Sequence, residues 1–436
     1  MARRRTHIPL DVYLNARLVG RLHRSAGGAI ELRYDESWLD WEGALPVSLS
    51  LPLREERYSG DAVITVLDNL LPDDEAVRRR IAERVRAESH SVYDLLAKIG
   101  RDCVGALQFL PQGHEPDPAD AVEGHRISDA EIARRIRSLA MTPLGLDEEE
   151  AFRISIAGMQ EKTAFLHWKG EWHLPHGTTP TSHIMKPQIG VLPNGIDLAQ
   201  SVENEYLCLR LASAFGLPSA RTEILDFDGV RVLAIERFDR RWDPEGRLLR
   251  LPQEDCCQAL SVPSSLKYDA DGGPGMSDLL DLLKGSDSPS ADRQLFLKAQ
   301  VVFWLLGATD GHAKNFSIFL RPGSRFHMAP LYDVMSAQPA VDAGQIRKNQ
   351  YKFAFAVGDN RHYVMGTILP RHFIQTARGS GMEAAVVETI FADVIESADR
   401  AIGEVLDSLP GDFPDGIAES IAQGLGERLE WLERTA

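Results

Sequence analysis

The sequence contains little cysteine and no long apolar run. Only four of its 436 residues are cysteine, and no two of them form a Cys-x-x-Cys pair. A disulfide framework is therefore not expected, and we predict buried thiols in a reducing compartment. The longest apolar stretch, near Val301 to Ala308, is much shorter than the roughly 20 residues of a membrane-spanning helix. The basic first residues lack the apolar run of a secretory signal, so we expect a cytoplasmic protein without membrane contact.

The sequence also lacks an excess of positive charge. Its formal net charge is -16, so the chain as a whole is not expected to bind a polyanion. Contact with DNA would need a local basic patch or a basic partner. Apolar residues make up 44% and charged residues 26%, which is typical of a soluble globular protein with a sizeable core. The length predicts two or three domains.

The polar, proline-bearing stretch from Gln112 to Glu123 is predicted to be a linker, and the pattern of the chain changes from about Ser128. Strands are predicted at 12–14, 18–22, 30–34, 163–168, 183–186, 220–226, 230–236 and 326–329. Helices are predicted at 75–88, 129–139, 204–215, 295–306 and 382–409, and the part beyond about residue 250 is expected to be mainly helical. Strands that precede helices indicate an α+β fold with segregated halves.

The strongest candidate for chemistry is the stretch Thr309-Asp310-Gly311-His312-Ala313-Lys314-Asn315, which follows the apolar helix. Asp310 and Asn315 are five positions apart, as in the D-x-x-x-x-N catalytic loop of protein kinases. A carboxylate can accept the proton of a substrate hydroxyl, and an amide oxygen can coordinate magnesium without adding charge. Lys314 can stabilise the phosphoryl group in transfer. Taken alone, the stretch also fits a polar turn.

Three further segments fit the same chemistry. Asp333 follows a predicted strand and places a carboxylate where a magnesium site needs one, although the segment is not D-F-G. Lys186 ends an apolar strand, so its ammonium needs a polar partner such as an ATP phosphate, with Glu203 or Glu205 as a possible ion-pair partner. The small residues Ala157 and Gly158 allow backbone N–H groups to approach phosphates.

The last segment, Glu236-Arg237-Phe238, follows a strand between the two halves and can offer its backbone to an adenine edge. Each segment alone also fits an ordinary feature, such as a turn aspartate, a surface lysine or a charged strand exit. In this order, however, they fit one arrangement of phosphate loop, lysine strand, hinge, catalytic loop and metal aspartate.

These segments resemble the HipA family, the kinase toxins of two-gene toxin–antitoxin systems. The resemblance runs through most of the chain and rests on LDNLLPDDEAVR at 67–78, GRDCVGALQFLP at 100–111, ISIAGMQEKTAFL at 154–166, HIMKP at 183–187, NEYLCLRLA at 204–212, ERFDR at 236–240, LPQEDCCQAL at 251–260, KYDADGGPG at 267–275, GATDGHAKNFS at 307–317 and APLYDVMSA at 329–337.

The resemblance implies a two-lobed protein-kinase-like fold with a β-rich N-terminal subdomain (1–122), a nucleotide-binding small lobe (123–245) and a helical lobe with the catalytic loop (246–436). It implies Asp310 as the catalytic base and magnesium held by Asn315 and Asp333. The residues implied to contact ATP are Ala157, Gly158, Met159, Gln160, Glu161, Lys162, Lys186, Glu236, Arg237, Phe238, His312, Lys314, Asn315, Tyr332 and Asp333.

Family members autophosphorylate a serine in the nucleotide loop, and Ser155 resembles it. A phosphate near -2 charge would expel the loop from the place of the ATP phosphates. The implied partner is a HipB-like helix-turn-helix antitoxin dimer that makes the main operator DNA contacts, so the chain would associate with the nucleoid in that complex. Some relatives phosphorylate an aminoacyl-tRNA synthetase, which makes such a protein one possible substrate.

Three alternatives remain beside the protein kinase. A kinase fold kept only for co-repression would be indicated by loss of Asp310, Asn315 or Asp333, and all three residue types are present. A metal-dependent phosphoesterase would need more histidine and aspartate ligands than His312 and its neighbours supply. A small-molecule kinase stays open, because the acceptor hydroxyl leaves no clear trace in a sequence.

Overall fold

The computed structural model describes residues 7–118, 121–146, 154–158 and 160–435. The chain forms two compact units. Unit 1 consists of Met1–Pro187, Leu225–Ser265 and Ile318–Arg325, and unit 2 of Gln188–Ile224, Leu266–Ser317 and Phe326–Ala436. The division of the chain into three domains at residues 122 and 245 stays a prediction.

The strands of the described residues are, in chain order, Leu10–Leu14 (β1), Arg17–Arg24 (β2), Ile30–Tyr34 (β3), Tyr58–Ser59 (β4), Leu107–Pro111 (β5), Gly124–Arg126 (β6), Thr163–Trp168 (β7), Glu171–Pro175 (β8), His183–Pro187 (β9), Gly190–Val191 (β10), Asp197–Leu198 (β11), Thr222–Phe227 (β12), Val230–Glu236 (β13), Arg240–Trp242 (β14), Leu248–Arg250 (β15), Gln253–Asp255 (β16), Ser317–Arg321 (β17), Arg325–Met328 (β18), Lys352–Val357 (β19) and His362–Val364 (β20).

The α-helices of the same residues are Glu36–Leu39 (α1), Asp61–Asp68 (α2), Glu75–Arg84 (α3), Val92–Ile99 (α4), Asp129–Arg137 (α5), Ser201–Ala214 (α6), Cys256–Ala259 (α7), Met276–Leu282 (α8), Pro289–Leu306 (α9), Gln338–Asp342 (α10), Pro370–Gly379 (α11), Ala384–Asp407 (α12) and Asp415–Thr435 (α13). None of these helices is both long and apolar enough to cross a membrane.

The first sheet of unit 1 is antiparallel, with the strand order β4-β3-β2-β1-β5. The predicted hairpin is confirmed, since β1 and β2 are joined by Asn15 and Ala16, whose φ angles of 46° and 66° are those of a type I′ turn. All residues of β1 are buried, because the strand lies between β2 and β5. The alternation in β3 marks a strand with one exposed side.

A second sheet in unit 1 carries the predicted lysine strand. Strands β13, β9, β7, β8 and β6 lie side by side in that order. Lys186 lies in β9 opposite Leu233 of β13, and Met185 beside it is fully buried. The strands predicted at 163–168 and 230–236 are confirmed.

Unit 2 contains the long helices, of which α9 lies in its core. Pro289 occupies the first turn of α9, where its missing N–H costs nothing, and Gly307 ends the helix in the left-handed conformation with a φ of 67°. Phe296 and Trp304 are fully buried, and α9 contacts α12 and α13. The chain leaves this rigid helix directly into the stretch 309–315.

The α+β class is confirmed, and all four cysteines are buried and form no disulfide, as predicted. The expectation of a mainly helical part beyond residue 250 is incomplete, because the structure places β16, β17, β19 and β20 there beside β18, the strand predicted at 326–329. The four strands that were not predicted are three to six residues long and hold too few alternating positions to be recognised by period.

Candidate functional site

The stretch from Thr309 to Asn315 is a closed loop that presents Asp310. The side-chain amide of Asn315 donates to the backbone carbonyl of Asp310 at 2.8 Å, which joins the two ends of the D-x-x-x-x-N spacing. Ala308 forms an antiparallel bridge with Ser336 at the base of the loop. Asn315 is buried, whereas the side chain of Asp310 is 56% exposed. The loop is therefore held by its backbone while the carboxylate points outward.

The segment that carries Asp333 is fastened to this loop within unit 2. The hydroxyl of Tyr332 donates to the backbone carbonyl of Lys314 at 2.8 Å and lies 2.6 Å from Oγ of Ser317. Asp333 follows with a φ of 58°, in the left-handed region that a non-glycine residue rarely adopts. Such a conformation persists only where the surroundings enforce it, and it is frequent at functional sites.

The donor set of these segments suits magnesium. Carboxylate and amide oxygens are the ligands that Mg²⁺ prefers, and the cation usually binds through one or two carboxylates together with substrate phosphates. Asp333 supplies a carboxylate and Asn315 an amide oxygen, and hydrogen bonds through Tyr332 and Lys314 connect their segments. The residues present therefore fit the predicted cation.

One contact of Asp310 was not predicted from the sequence. The hydroxyl of Tyr268 donates to Oδ1 of Asp310 at 2.6 Å. The ring of Tyr268 also packs edge-on against His312, with 4.7 Å between centroids and an interplanar angle of 82°. Tyr268 belongs to the family segment KYDADGGPG, which was the only signal that could have pointed to it.

In unit 1, Lys186 is 5% exposed and lies in an inner strand of the second sheet. Burial of an ammonium needs a polar partner, as the sequence argument required. The predicted carboxylates belong to unit 2, where Glu203 accepts from the side-chain amide of Gln188 at 2.7 Å and Glu205 is buried. A pairing of Lys186 with either carboxylate stays a prediction.

The predicted nucleotide loop is organised around Lys162. The ammonium of Lys162 donates to the carbonyl of Ala157 at 2.8 Å, and the side-chain amide of Gln160 donates to the carbonyl of Pro187 at 3.1 Å. Gly158 has a φ of 104°, and a Cβ there would lie 2.6 Å from Nζ of Lys162. The positive φ therefore favours glycine at this turn, whereas the lysine side chain could move away from a Cβ. Glu161 is exposed, and Met159 lies outside the described residues.

Ser155 is fully buried at the start of this loop. Its hydroxyl donates to the carbonyl of Leu70 at 2.6 Å, and its backbone N–H donates to the carbonyl of Asp102 at 3.0 Å. A parallel bridge between Pro72 and Gly158 continues the contact. The family segment at 67–78 therefore holds residues 155–158 inside unit 1.

The side chain of Arg237 lies within a buried ion cluster of unit 1. Its guanidinium donates to Asp102 and Asp239 at 2.8 to 3.2 Å, and also to Thr181 and to the carbonyl of Cys103. Although burial alone lowers the pKa of Arg237, the two carboxylates outweigh burial and raise it. The guanidinium of Arg237 is thus bound within the protein by ion pairs and hydrogen bonds.

The neighbours of Arg237 are more accessible. Glu236 is exposed, and Phe238 is half-buried, with its ring edge-on to Phe319 at 5.9 Å. The backbone of residues 236–238 and these two side chains remain the candidates for the adenine contact.

Comparison with known proteins identifies the family. Residues 154–402 match the model of the HipA-like C-terminal domain, and residues 10–110 match that of the HipA N-terminal domain. Y4mE of Sinorhizobium fredii, which is named as an inferred kinase, is 34% identical over 422 residues, covering 95% of this chain and 96% of Y4mE. The serine/threonine-protein kinase toxin HipA of Shewanella oneidensis is 27% identical over 417 residues, covering 92% of this chain and 90% of that protein.

A solved structure agrees with these matches. The structure of the HipA, HipB and operator DNA complex of Shewanella oneidensis MR-1 contains a chain that superposes with a TM-score of 0.81 and 26% identity, covering 98% of this chain and 97% of that one. Both family models, the relatives and this fold lead to one conclusion: the chain belongs to the HipA family and has its α+β, protein-kinase-like fold.

Proposed function

We propose that this chain is an ATP-dependent serine/threonine protein kinase that acts as the toxin of a toxin–antitoxin pair. The observation that carries the proposal is the presentation of Asp310. Its carboxylate is 56% exposed, its backbone is fastened to Asn315, and the same loop is tied through Tyr332 to the segment of Asp333. The proposed base Asp310 and the proposed magnesium ligands Asn315 and Asp333 therefore lie in segments that hydrogen bonds join, and phosphoryl transfer requires such fixed positions.

In the proposed reaction, Asp310 accepts the proton of the acceptor hydroxyl. The hydroxyl oxygen forms a bond to the γ-phosphorus of ATP, the bond from that phosphorus to the β–γ bridging oxygen breaks, and ADP leaves with the electron pair. Asn315 and Asp333 would hold magnesium, which neutralises phosphate charge. Lys186 would contact the phosphates.

Further contacts to ATP are proposed for the residues that the family resemblance implied. The backbone of residues 157–162 would enclose the phosphates, and residues 236–238 would line the adenine. His312 and Lys314, which lie in the catalytic loop, and Tyr332, which bonds to it, would also contact ATP. Arg237 contributes by its backbone and by fixing this segment, since its guanidinium is bound to Asp102 and Asp239.

We further propose that Ser155 is the autophosphorylation site and that its modification inactivates the kinase. The hydroxyl is fully buried and bonded to the carbonyl of Leu70. A phosphate of nearly two negative charges cannot remain in that space, so the modified segment would have to leave its position beside residues 70–73. The nucleotide loop would lose its shape as a result.

The proposed partner is a HipB-like helix-turn-helix antitoxin dimer that neutralises the toxin. The similar Shewanella chain is found with HipB and operator DNA. The net charge of -16 disfavours direct binding of this chain to DNA, so we propose that the antitoxin makes the main DNA contacts. This chain would then act as a co-repressor in the nucleoid. An aminoacyl-tRNA synthetase is the proposed type of protein substrate.

The proposal is tested by incubating the dephosphorylated protein with radiolabelled ATP and magnesium, with and without casein as a general serine and threonine acceptor. The wild type should label itself and casein. Asp310→Asn should lower both rates about 10²-fold or more, because the general base is lost. Ser155→Ala should lose the self-label but still label casein.

Asp281→Asn serves as the matched control, since Asp281 is an exposed carboxylate of unit 2 that pairs with Lys284 on the surface. It should label like the wild type. Melting temperature and ATP affinity establish that each variant is folded. Wild-type protein that binds ATP without any transfer would instead indicate a catalytically silent co-repressor.

A further inference from the structure

Tyr268 makes a direct contact with the proposed catalytic base that no nucleotide or metal role explains. Its hydroxyl donates to Oδ1 of Asp310 at 2.6 Å, a distance typical of an O–H group bonded to an ionised carboxylate. The two residues are 42 positions apart and both belong to unit 2. A phenol hydroxyl is protonated at neutral pH, so it acts here as a donor.

We propose that Tyr268 is a positioning residue for Asp310: its hydroxyl holds one carboxylate oxygen so that the other is aimed at the acceptor hydroxyl. The inference rests on the proposed kinase function. The side chain of Asp310 is 56% exposed, so packing alone does not fix its orientation. A fixed donor on Oδ1 selects one orientation, and orientation of reacting groups accounts for much of the rate of an enzyme.

The ring of Tyr268 reinforces this contact. It packs edge-on against His312, whose backbone N–H donates to the carbonyl of Asp310 at 2.8 Å. His312 is only 3% exposed, so it forms a rigid wall for the ring. Tyr268 therefore touches the catalytic loop at two points, through its hydroxyl and through its ring.

A tight turn fixes the backbone of Tyr268. The N–H groups of Asp271 and Gly273 both donate to its carbonyl, at 3.1 and 2.9 Å. Gly272 adopts a φ of 90°, and a Cβ on Gly273 would lie 1.9 Å from the carbonyl oxygen of Leu266. Gly272 and Gly273 are thus needed for the turn itself.

Asp269 anchors the same turn to the rest of unit 2. Its buried carboxylate accepts from the N–H of Ala356 at 2.8 Å and from Arg361 at 2.7 Å. Rigid support of this kind is what a positioning group needs, because a mobile donor would follow Asp310 instead of directing it.

The test compares Tyr268→Phe with wild type in the steady-state transfer of phosphate to casein. The substitution keeps the ring and removes the hydroxyl. We expect kcat to fall about 10-fold, in line with the cost of a small misplacement of a reacting group. KM for ATP, nucleotide affinity and melting temperature should stay at wild-type values. Replacement of Tyr268 by p-aminophenylalanine, which restores an N–H donor, should recover most of the rate.

Tyr363→Phe is the matched control, since it removes a tyrosine hydroxyl that accepts from Arg361 near the same turn and does not contact Asp310. It should leave kcat unchanged. An unchanged or raised kcat for Tyr268→Phe would overturn the inference, as would an equal loss in Tyr363→Phe or phosphate found on Tyr268 itself. A wild type without any transfer would overturn the kinase function and this inference together, whereas the other outcomes overturn the inference alone.

Discussion

At the residue scale, the buried charges of unit 1 form a cluster with one carboxylate at its centre. Asp102 is 2.9 Å from Arg240, 3.0 Å from Arg250 and 3.2 Å from Arg237. Burial by itself raises the pKa of Asp102, but the three guanidinium groups outweigh burial and hold the pKa below its usual range. Asp102 lies in the matched HipA N-terminal domain, whereas the three arginines lie in the C-terminal one.

Asp102→Asn should therefore lower the free energy of unfolding by about 3–5 kcal/mol, because it leaves three buried cations with Asp239 as their remaining carboxylate in the cluster. Urea unfolding measures the loss. Glu75→Gln is the control, since it removes an exposed pair with Arg79 that solvent screens, so the loss of unfolding free energy should be much smaller. Equal effects in the two variants would contradict the structural role of the cluster.

Candidate site residues can be predicted from a sequence when they share a local pattern. Asp310 and Asn315 were proposed as site residues from a local spacing, and a hydrogen bond in the structure joins the two ends of that spacing. The contact of Tyr268 with Asp310 spans 42 positions and follows no local rule. Arg237 was predicted beside the nucleotide, but its side-chain partner Asp102 is 135 positions away, so its burial could not be foreseen.

At the scale of elements, prediction succeeded where a local pattern decides the structure. Strand β3 has the alternation that marked it, and β7 and β13 have the predicted bounds. Helix α6 was predicted to begin at residue 204 but begins at Ser201. Its first turn is capped by Gln188, whose side-chain oxygen accepts from the N–H of Val202 at 2.9 Å. A cap supplied from outside the helix leaves no mark in the helical sequence.

The turn of residues 268–273 allows a prediction at this scale. Gly273→Ala would place a Cβ 1.9 Å from the carbonyl of Leu266, so the turn must shift. We expect a loss of about 1–3 kcal/mol in unfolding free energy, typical of overpacking, together with a lower kcat because Tyr268 is displaced. Gly366→Ala, where a Cβ would meet nothing within 4 Å, is the control. Thermal unfolding and casein labelling that match the wild type would show that the turn is not constrained.

At the scale of the whole molecule, the net negative charge disfavours direct binding of the chain to DNA. The chain carries 64 acidic and 48 basic residues, which repel a phosphate backbone at distances beyond single contacts. Phosphate contacts supply nearly all of the non-specific affinity of a DNA-binding protein. In the proposed co-repressor role, the chain would therefore depend on its partner for that affinity.

We accordingly expect the purified chain alone to leave a random-sequence duplex of about 30 base pairs unbound at about 100 mM salt and about 10 μM protein, in a fluorescence anisotropy titration. Non-specific DNA-binding proteins have dissociation constants of roughly 10⁻⁴ to 10⁻⁶ M, and those with constants of about 10⁻⁵ M or lower would bind at least half of the duplex at this protein concentration. Binding that weakens steeply with salt would contradict the expectation. It would indicate a local basic patch on this chain and give to it DNA contacts that we proposed for the antitoxin.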